Sequence, residues 1–151
     1  MKVLFICTAN VCRSPLAEGY LKHLLQTSEY GIEVSSAGIL AIQDSPAFEC
    51  VIEVARRFEF DLSDHKARQI TTTLARQADR ILCMESWQAA KVVELDTGAM
   101  AKLTLLGSYF PEGHPLFQIR DPRAFTVPET LRVFSPFIKS SVECLHKEIT
   151  G

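Results

Sequence analysis

Short apolar runs alternate with helical segments along this chain, and this alternation constrains the fold more than any other feature. The runs are rich in residues that favour strands, and the segments between them have the apolar periodicity of helices. The pattern predicts a three-layer α/β/α domain in which a four-stranded parallel sheet carries helices on both faces. The predicted strands span residues 2–6, 31–36, 80–84 and 102–106.

Residues 1–151 are predicted to form a single domain, because this length suffices for one core and no linker or repeat interrupts the chain. Ser14 is predicted to cap the first helix, with Pro15 at its first position. Further helices are predicted near residues 46–57, 86–95 and 128–147, and residues 66–75 are predicted to form one or two short helical turns. Ligands of parallel sheets bind at the carboxyl ends of the strands, so the segments that follow the strands are the candidate sites.

Composition and charge exclude several classes of protein. Hydrophobic residues make up 47% of the chain and charged residues 23%, which is typical of a globular protein. A net charge of −2 provides no general attraction for nucleic acid or acidic membranes, and the apolar run at the amino terminus is too short for a signal peptide. Five cysteines without paired ligand spacing favour a reduced cytoplasmic protein with no metal site.

The segment between the first strand and the first helix carries the strongest chemical signal. Cys7 leaves the strand, and Arg13 follows at the helix start with five residues between them. Backbone N–H groups, the helix dipole and a guanidinium together bind tetrahedral oxyanions. Their positive electrostatic potential also favours the thiolate form of a cysteine nucleophile. Ser14 is expected to donate a hydrogen bond to that thiolate. The predicted phosphate-binding residues are Thr8, Ala9, Asn10, Val11, Cys12, Arg13 and Ser14. Alternatively, Cys7 is a buried strand-end cysteine and Arg13 a surface charge.

Asp121 is the candidate general acid. Cleavage of a phosphate ester by a thiolate requires a proton for the leaving oxygen. Asp121 precedes Pro122 in a long loop after the fourth strand, and this loop is able to reach the edge of the sheet where Cys7 lies. The alternative is that the Asp-Pro pair only marks a turn.

Five segments in this order match a known family: residues 7–15, 36–39, 65–69, 83–85 and 121–122. On these segments the chain resembles the low-molecular-weight protein tyrosine phosphatases over essentially its full length. The resemblance implies that Cys7 attacks phosphorus to form a cysteinyl-phosphate, while Arg13 and the loop amides bind the equatorial oxygens. It implies that Asp121 protonates the departing phenolate and then activates water.

The resemblance also implies a supporting hydrogen-bond network and a class of substrate. Asn10, Ser14, Ser36 and His65 would hold the loop. The expected substrate is a phosphotyrosine-containing protein or a small aryl phosphate, the product is inorganic phosphate, and no cofactor is required. A monomer is the default expectation.

Three positions depart from the family pattern or add to it. Ala9 stands where the family commonly has glycine, so the loop is stiffer or residue 9 has a negative φ. Arg123 and Ala124 replace two aromatic residues that usually form the wall of the cleft. The positive charge of Arg123 favours substrates with acidic residues beside the phosphorylated one. Cys12 lies in the same loop as Cys7 and either forms a protective disulfide with it or packs beneath the loop.

Other functions share this scaffold. A protein-arginine phosphatase of the same family carries threonine at the position of Val11, and the apolar side chain here favours an aryl phosphate. A thiol-coupled arsenate reductase needs relay cysteines, for which Cys83 is a candidate without a nearby second cysteine. A non-catalytic phosphate-binding module would be expected to lack Cys7 or Asp121.

Overall fold

The computed structural model describes residues 1–26, 30–110, 118–121 and 135–151, and these contain a four-stranded sheet. The strands lie in the order β2-β1-β3-β4, and all neighbouring pairs are parallel. Cys7 ends the central strand β1 and pairs with Gly38, the last residue of β2. The strands are β1 (Lys2–Cys7), β2 (Glu33–Gly38), β3 (Arg80–Cys83) and β4 (Leu103–Leu105).

Helices cover both faces of the sheet, which confirms the predicted three-layer α/β fold. Val3 and Phe5 of β1 point into one core cluster, and the alternate residues Leu4 and Ile6 point into the other. The first cluster joins α1 (Arg13–Leu25), α2 (Glu49–Arg57) and α5 (Ser135–Thr150), and the second joins α3 (Thr72–Gln77) and α4 (Ser86–Leu95). Short 3-10 turns span Thr97–Lys102 and Leu106–Tyr109. Within the described ranges no helix has the length and apolarity needed to cross a bilayer.

The start of α1 differs from the prediction. The helix begins at Arg13, and Cys12 occupies the N-cap position without a capping hydrogen bond from its side chain. The prediction that Ser14 caps this helix was therefore wrong. The Ser14 hydroxyl is instead engaged with the side chains of Cys7 and Asn10, which lie in the preceding loop.

Three other boundaries shifted because of contacts between segments distant in sequence. β2 continues to Gly38 because this residue pairs with Cys7 and bridges to Gln69. The second helix begins at Glu49 rather than near 46, because the backbone N–H of Phe48 donates to the Val11 carbonyl at 2.9 Å. The backbone near Gln69 is extended rather than helical, and α3 starts later, where Thr71 caps it.

The remaining helices agree with the prediction where they are described. α4 spans Ser86–Leu95, as expected. In α5 the predicted inward residues Ile138, Val142 and Leu145 are buried. The predicted start of this helix at 128 lies outside the described residues.

Candidate active site

The loop from Cys7 to Arg13 lies at the carboxyl edge of the sheet, between the end of β1 and the start of α1. Gly38 at the end of β2 packs directly against the loop backbone. A Cβ at this position would lie 2.7 Å from the Thr8 carbonyl oxygen and 2.9 Å from the Asn10 nitrogen. Glycine therefore allows a close approach that any side chain would obstruct.

The Cys7 sulfur is buried and in contact with two groups that can donate hydrogen bonds. Its Sγ lies 3.0 Å from the Ser14 hydroxyl oxygen and 3.3 Å from the Asn10 backbone nitrogen. Only 2% of the residue is exposed. The structure thus places Ser14 beside Cys7, as predicted, and both contacts suit a thiolate acceptor.

Asn10 links the loop to the rest of the fold. Its side-chain amide nitrogen donates to the hydroxyls of Ser14 at 2.9 Å and Ser36 at 2.7 Å. Its side-chain oxygen accepts from the Arg68 backbone N–H at 2.9 Å, and its carbonyl oxygen lies 2.7 Å from His65 Nε2. The structure therefore brings together the four residues of the predicted network, Asn10, Ser14, Ser36 and His65.

The strained backbone position of the loop is Asn10, with φ of +57°. Ala9 does not have a positive φ, in agreement with one of the two outcomes expected for alanine at that position. Asparagine tolerates the left-handed region better than other residues with a side chain, because its short amide bonds locally. The side chain that holds the network thus also occupies the loop's left-handed turn.

Arg13 is fully enclosed, so the alternative that it is a surface charge is wrong. Only 1% of its side chain is exposed. Its Nη1 donates to the Glu85 carboxylate at 2.7 Å and to the Ile119 carbonyl at 2.8 Å. Its Nη2 donates to the Thr8 hydroxyl at 3.0 Å and lies 2.6 Å from Asp121 Oδ2. These partners fix the guanidinium beneath the loop.

Several donors of the loop have no acceptor among the described residues. They are the Nε–H of Arg13 and the backbone N–H groups of Thr8, Ala9, Val11 and Cys12. The Nε–H of Arg13 is buried, and a buried N–H group left unpaired is rare and costly in folded proteins. An anion with several oxygens is the kind of ligand that satisfies such a set of donors.

Asp121 reaches the same loop, as predicted. Besides the contact with Arg13, its Oδ2 accepts a hydrogen bond of 3.4 Å from the Thr8 hydroxyl. The carboxylate is half exposed and therefore accessible to a substrate. Pro122 and the Arg123-Ala124 pair lie outside the described residues.

Two residues at the start of α4 belong to the site and were not among the predicted site residues. Glu85 pairs with Arg13 and is 15% exposed, and Gln88 is completely buried. The Gln88 amide nitrogen lies 3.3 Å from both the Thr8 hydroxyl and the Glu85 carboxylate. Glu85 carried two signals, its place in the family-matching segment 83–85 and its position just after β3, at the sheet edge that Cys7 shares.

Two residues that support Ser36 were missed as well. The Ser36 hydroxyl donates to the Glu18 carboxylate on α1. The Ser36 carbonyl accepts a hydrogen bond of 2.8 Å from the Arg68 side chain. Arg68 falls within a segment that matched the family, whereas Glu18 had no signal beyond its place on the first helix.

The other cysteines of interest are buried thiols. Burial raises the pKa of Cys12 well above its ordinary value, and the neighbouring Cys7 adds to this shift. Burial likewise raises the pKa of Cys83 to about 12. Both thiols are free, as is that of Cys7. In the described ranges no three His, Cys, Asp or Glu side chains are grouped so as to hold a metal ion.

Comparison with known proteins gives a consistent set of relatives. The model of the family described as low molecular weight phosphotyrosine protein phosphatase matches residues 2–150. The low molecular weight protein-tyrosine-phosphatase Etp of Escherichia coli (strain K12) is 34% identical over 110 residues, which cover 73% of this chain and 72% of Etp.

Solved structures share the fold. The tyrosine phosphatase Wzb from Escherichia coli K30, in complex with sulphate, has a TM-score of 0.84 at 28% identity, covering 98% of this chain and 97% of Wzb. The YwlE arginine phosphatase from Geobacillus stearothermophilus has a TM-score of 0.85 at 24% identity, covering 99% of this chain and 92% of YwlE. At that lower identity the likeness shows a common fold and nothing more.

Proposed function

Because this chain belongs to the low molecular weight phosphotyrosine protein phosphatase family, we propose that it hydrolyses phosphotyrosine or small aryl phosphates through a cysteinyl-phosphate. Cys7 is the proposed nucleophile, Arg13 the ligand of the phosphoryl oxygens and Asp121 the general acid. The product is inorganic phosphate.

The observation that supports this proposal is a set of N–H donors without acceptors on the loop that begins at the buried Cys7. The N–H groups of Thr8, Ala9, Val11 and Cys12 and the Nε–H of Arg13 lack acceptors among the described residues. Donors fixed before the reaction stabilise negative charge as it develops and do not have to reorganise. A tetrahedral oxyanion beside a thiolate is the chemistry that this arrangement supports.

The first step transfers the phosphoryl group to the enzyme. A sulfur lone pair of Cys7 forms the S–P bond while the P–O bond to the phenol breaks in line with it. Protonated Asp121 gives its proton to the departing oxygen, so that a neutral phenol leaves. Arg13 and the loop amides hold the three non-bridging oxygens throughout.

The second step releases phosphate. Asp121, now a carboxylate, takes a proton from water as the water oxygen attacks phosphorus. The S–P bond breaks, its electron pair returns to Cys7 as a thiolate, and Asp121 is again protonated. The Asn10, Ser14, Ser36 and His65 network is proposed to keep the loop in one conformation through both steps. The sulphate bound in the structure of the relative Wzb supports an oxyanion site on this fold.

The alternatives have less support. Cys83, the relay candidate for an arsenate reductase, is wholly buried in the core cluster on the face of the sheet opposite to that of Cys7. The carboxylate of Asp121 at the loop is a feature that a pure phosphate-binding module would not need. Val11 lacks the hydroxyl expected of an arginine phosphatase, which favours the aryl substrate.

Cys12 is the proposed redox partner of Cys7. Peroxide would oxidise the Cys7 thiolate to a sulfenic acid, and the Cys12 thiol would then condense with it to form a disulfide and water. A Cys12→Ser variant is expected to be inactivated by peroxide without recovery on addition of a thiol, whereas the wild type recovers. Equal recovery of the two proteins would remove this role.

The function is tested by turnover of para-nitrophenyl phosphate in metal-free buffer between about pH 5 and pH 7, near the working range of a carboxylic acid catalyst. We expect activity to vanish in Cys7→Ser and to persist in the matched control Cys144→Ser, which changes a cysteine on α5. Asp121→Asn is expected to lower kcat by about 10²–10⁴-fold. Activity that survives in Cys7→Ser would refute the mechanism.

The class of substrate is tested with peptides that carry either phosphotyrosine or phosphoarginine. We expect faster hydrolysis of the phosphotyrosine peptide. A preference for phosphoarginine would leave the thiolate mechanism in place and replace the proposed substrate.

A further inference from the structure

The carboxamide of Gln88 is a buried polar group with four hydrogen-bond contacts. Its oxygen accepts from the backbone N–H groups of Met84 at 3.1 Å and Glu85 at 3.2 Å. Its nitrogen donates to the Thr8 hydroxyl and to the Glu85 carboxylate, both at 3.3 Å. The two ends of one amide therefore serve different purposes. The oxygen ties the turn between β3 and α4, and the nitrogen reaches the loop.

The two acceptors of the Gln88 nitrogen are also two of the four partners of the Arg13 guanidinium. Glu85 accepts from Nη1 of the guanidinium at 2.7 Å, and Thr8 accepts from Nη2 at 3.0 Å. Gln88 thus links the groups on both sides of the guanidinium. Since it is not exposed at all, no water competes for these hydrogen bonds.

We propose that Gln88 is a positioning residue for the phosphatase reaction, whose side-chain nitrogen holds Thr8 and Glu85 and thereby fixes the orientation of Arg13. This inference rests on the proposed function, because Arg13 must be the ligand of the phosphoryl oxygens for its orientation to matter. A guanidinium binds the equatorial oxygens of a transferring phosphoryl group in a directional way. Small misplacements of such a group reduce the rate strongly.

Gln88 also has a purely structural contact, and a substitution can separate it from the contacts with the loop. The oxygen of Gln88 completes a capping box with Glu85 at the start of α4. Glutamate at this position is the common partner in such a box, so Gln88→Glu keeps the cap. The same substitution removes both N–H donors and places a carboxylate beside Glu85. Gln88→Glu therefore spares the cap and abolishes the contacts to Thr8 and Glu85.

The test compares wild type, Gln88→Glu and the control Val92→Ala, which removes core volume from α4 without touching the loop. We expect Gln88→Glu to lower kcat by on the order of tenfold to hundredfold. Its inhibition by vanadate, which imitates the five-coordinate phosphorus, should weaken more than its inhibition by phosphate. Val92→Ala should lower the Tm and keep kcat. If Gln88→Glu keeps kcat and vanadate inhibition within about twofold of wild type, a change below 0.5 kcal/mol, the inference is wrong.

Two further variants probe the contacts of the Gln88 nitrogen. Should the introduced carboxylate prevent folding, Gln88→Met supplies an uncharged side chain of the same length, and the same loss of kcat is expected. In a double-mutant cycle with Thr8→Val, the double variant should lose no more activity than the worse single variant, because both act through Arg13. Additive losses would overturn the inference.

If wild type shows no turnover that depends on Cys7, the proposed function itself fails. If wild type turns over and Gln88→Glu matches it, only this inference fails.

Discussion

Arg13 Nη2 lies 2.6 Å from Oδ2 of Asp121, so the proposed ligand of the phosphoryl oxygens is in contact with the proposed acid. The two side chains differ in exposure: the guanidinium is enclosed, and the carboxylate is 51% exposed. A phosphate group that binds Arg13 would compete with Asp121 for the same nitrogen. The exposed partner is the one able to turn away toward the leaving group.

This contact predicts that Asp121→Asn binds inorganic phosphate more tightly than wild type. Removal of the competing charge should strengthen phosphate inhibition by up to about fivefold, equivalent to roughly 1 kcal/mol, since the pair is partly exposed. The inhibition constant for phosphate measures this. Asp96→Asn, which removes a distant ion pair with Arg76, should leave the constant unchanged. Weaker inhibition in Asp121→Asn would show that the carboxylate does not compete.

Glu85→Gln should impair both stability and activity. It removes the carboxylate that pairs with the enclosed Arg13, while it keeps an oxygen that can accept a hydrogen bond. We expect a loss of about 2–3 kcal/mol in the free energy of unfolding and a lower kcat/KM.

Denaturation in urea and steady-state kinetics measure the two effects of Glu85→Gln. The matched control is Glu148→Gln, which removes a half-exposed partner of Arg80. This control should cost at most about 1 kcal/mol and leave the kinetics unchanged. Equal behaviour of the two variants would argue against a special role for Glu85.

Gly38→Ala should displace the loop. The added methyl would meet three backbone atoms of the loop within 3 Å, and backbone atoms cannot swing away as a side chain can. We expect a loss of about 1–3 kcal/mol in stability and at least tenfold in kcat/KM. In the control Gly98→Ala the nearest atoms are 3.6 Å away, so both quantities should stay near wild type. Full activity of Gly38→Ala would contradict this account.

Substitutions of Asn10 separate backbone strain from side-chain contacts. Asn10→Ala loses the side-chain hydrogen bonds to Ser14, Ser36 and the Arg68 backbone and keeps a Cβ at φ of +57°, whereas Asn10→Gly loses the same hydrogen bonds without that strain. Both should be destabilised and less active, and alanine should be worse than glycine by about 1 kcal/mol. Urea denaturation measures the difference. Equal stability of the two variants would mean that the left-handed turn costs nothing here.

Stability should fall at alkaline pH, in part because of Cys83. Burial raises the pKa of this thiol to about 12 in the folded protein, from an ordinary value of 9.0. Between these values the unfolded chain releases the proton and the folded protein retains it. The free energy of unfolding therefore decreases as pH rises from 9 toward 12, by up to about 1.4 kcal/mol per pH unit for this group.

Urea denaturation of wild type and Cys83→Ala across this range checks the contribution of Cys83. The decrease should be shallower in the variant, whatever its stability at neutral pH. Identical slopes in the two proteins would show that Cys83 does not contribute.

The elements that were predicted correctly are those that depend on the pattern of apolar and polar residues within one segment. α4 was predicted with its observed ends, because the apolar period and the flanking residues act within one segment. The position of Cys7 and Arg13 at a strand-to-helix turn was predictable for the same reason. The contact between Asp121 and the loop followed from topology, since parallel strands direct their carboxyl ends to one edge.

Residues whose roles depend on distant partners were misjudged or missed. Serine is a common helix-capping residue, yet the Ser14 hydroxyl forms hydrogen bonds with the side chains of Cys7 and Asn10 instead. Glu85 and Gln88 look like an ordinary helix start, and only their proximity to Arg13 and Thr8 places them in the site.

The order of strands and helices and the chemical identity of the reactive loop are encoded in neighbouring residues, so the amino-acid sequence was sufficient to predict both. How the guanidinium of Arg13 is held could be seen only in the folded chain. That depends on Glu85, 72 residues away, on Ile119, 106 residues away, and on Asp121. Hydrogen bonds act over about 3 Å, so groups this far apart in the chain interact only after the sheet has brought its carboxyl ends together.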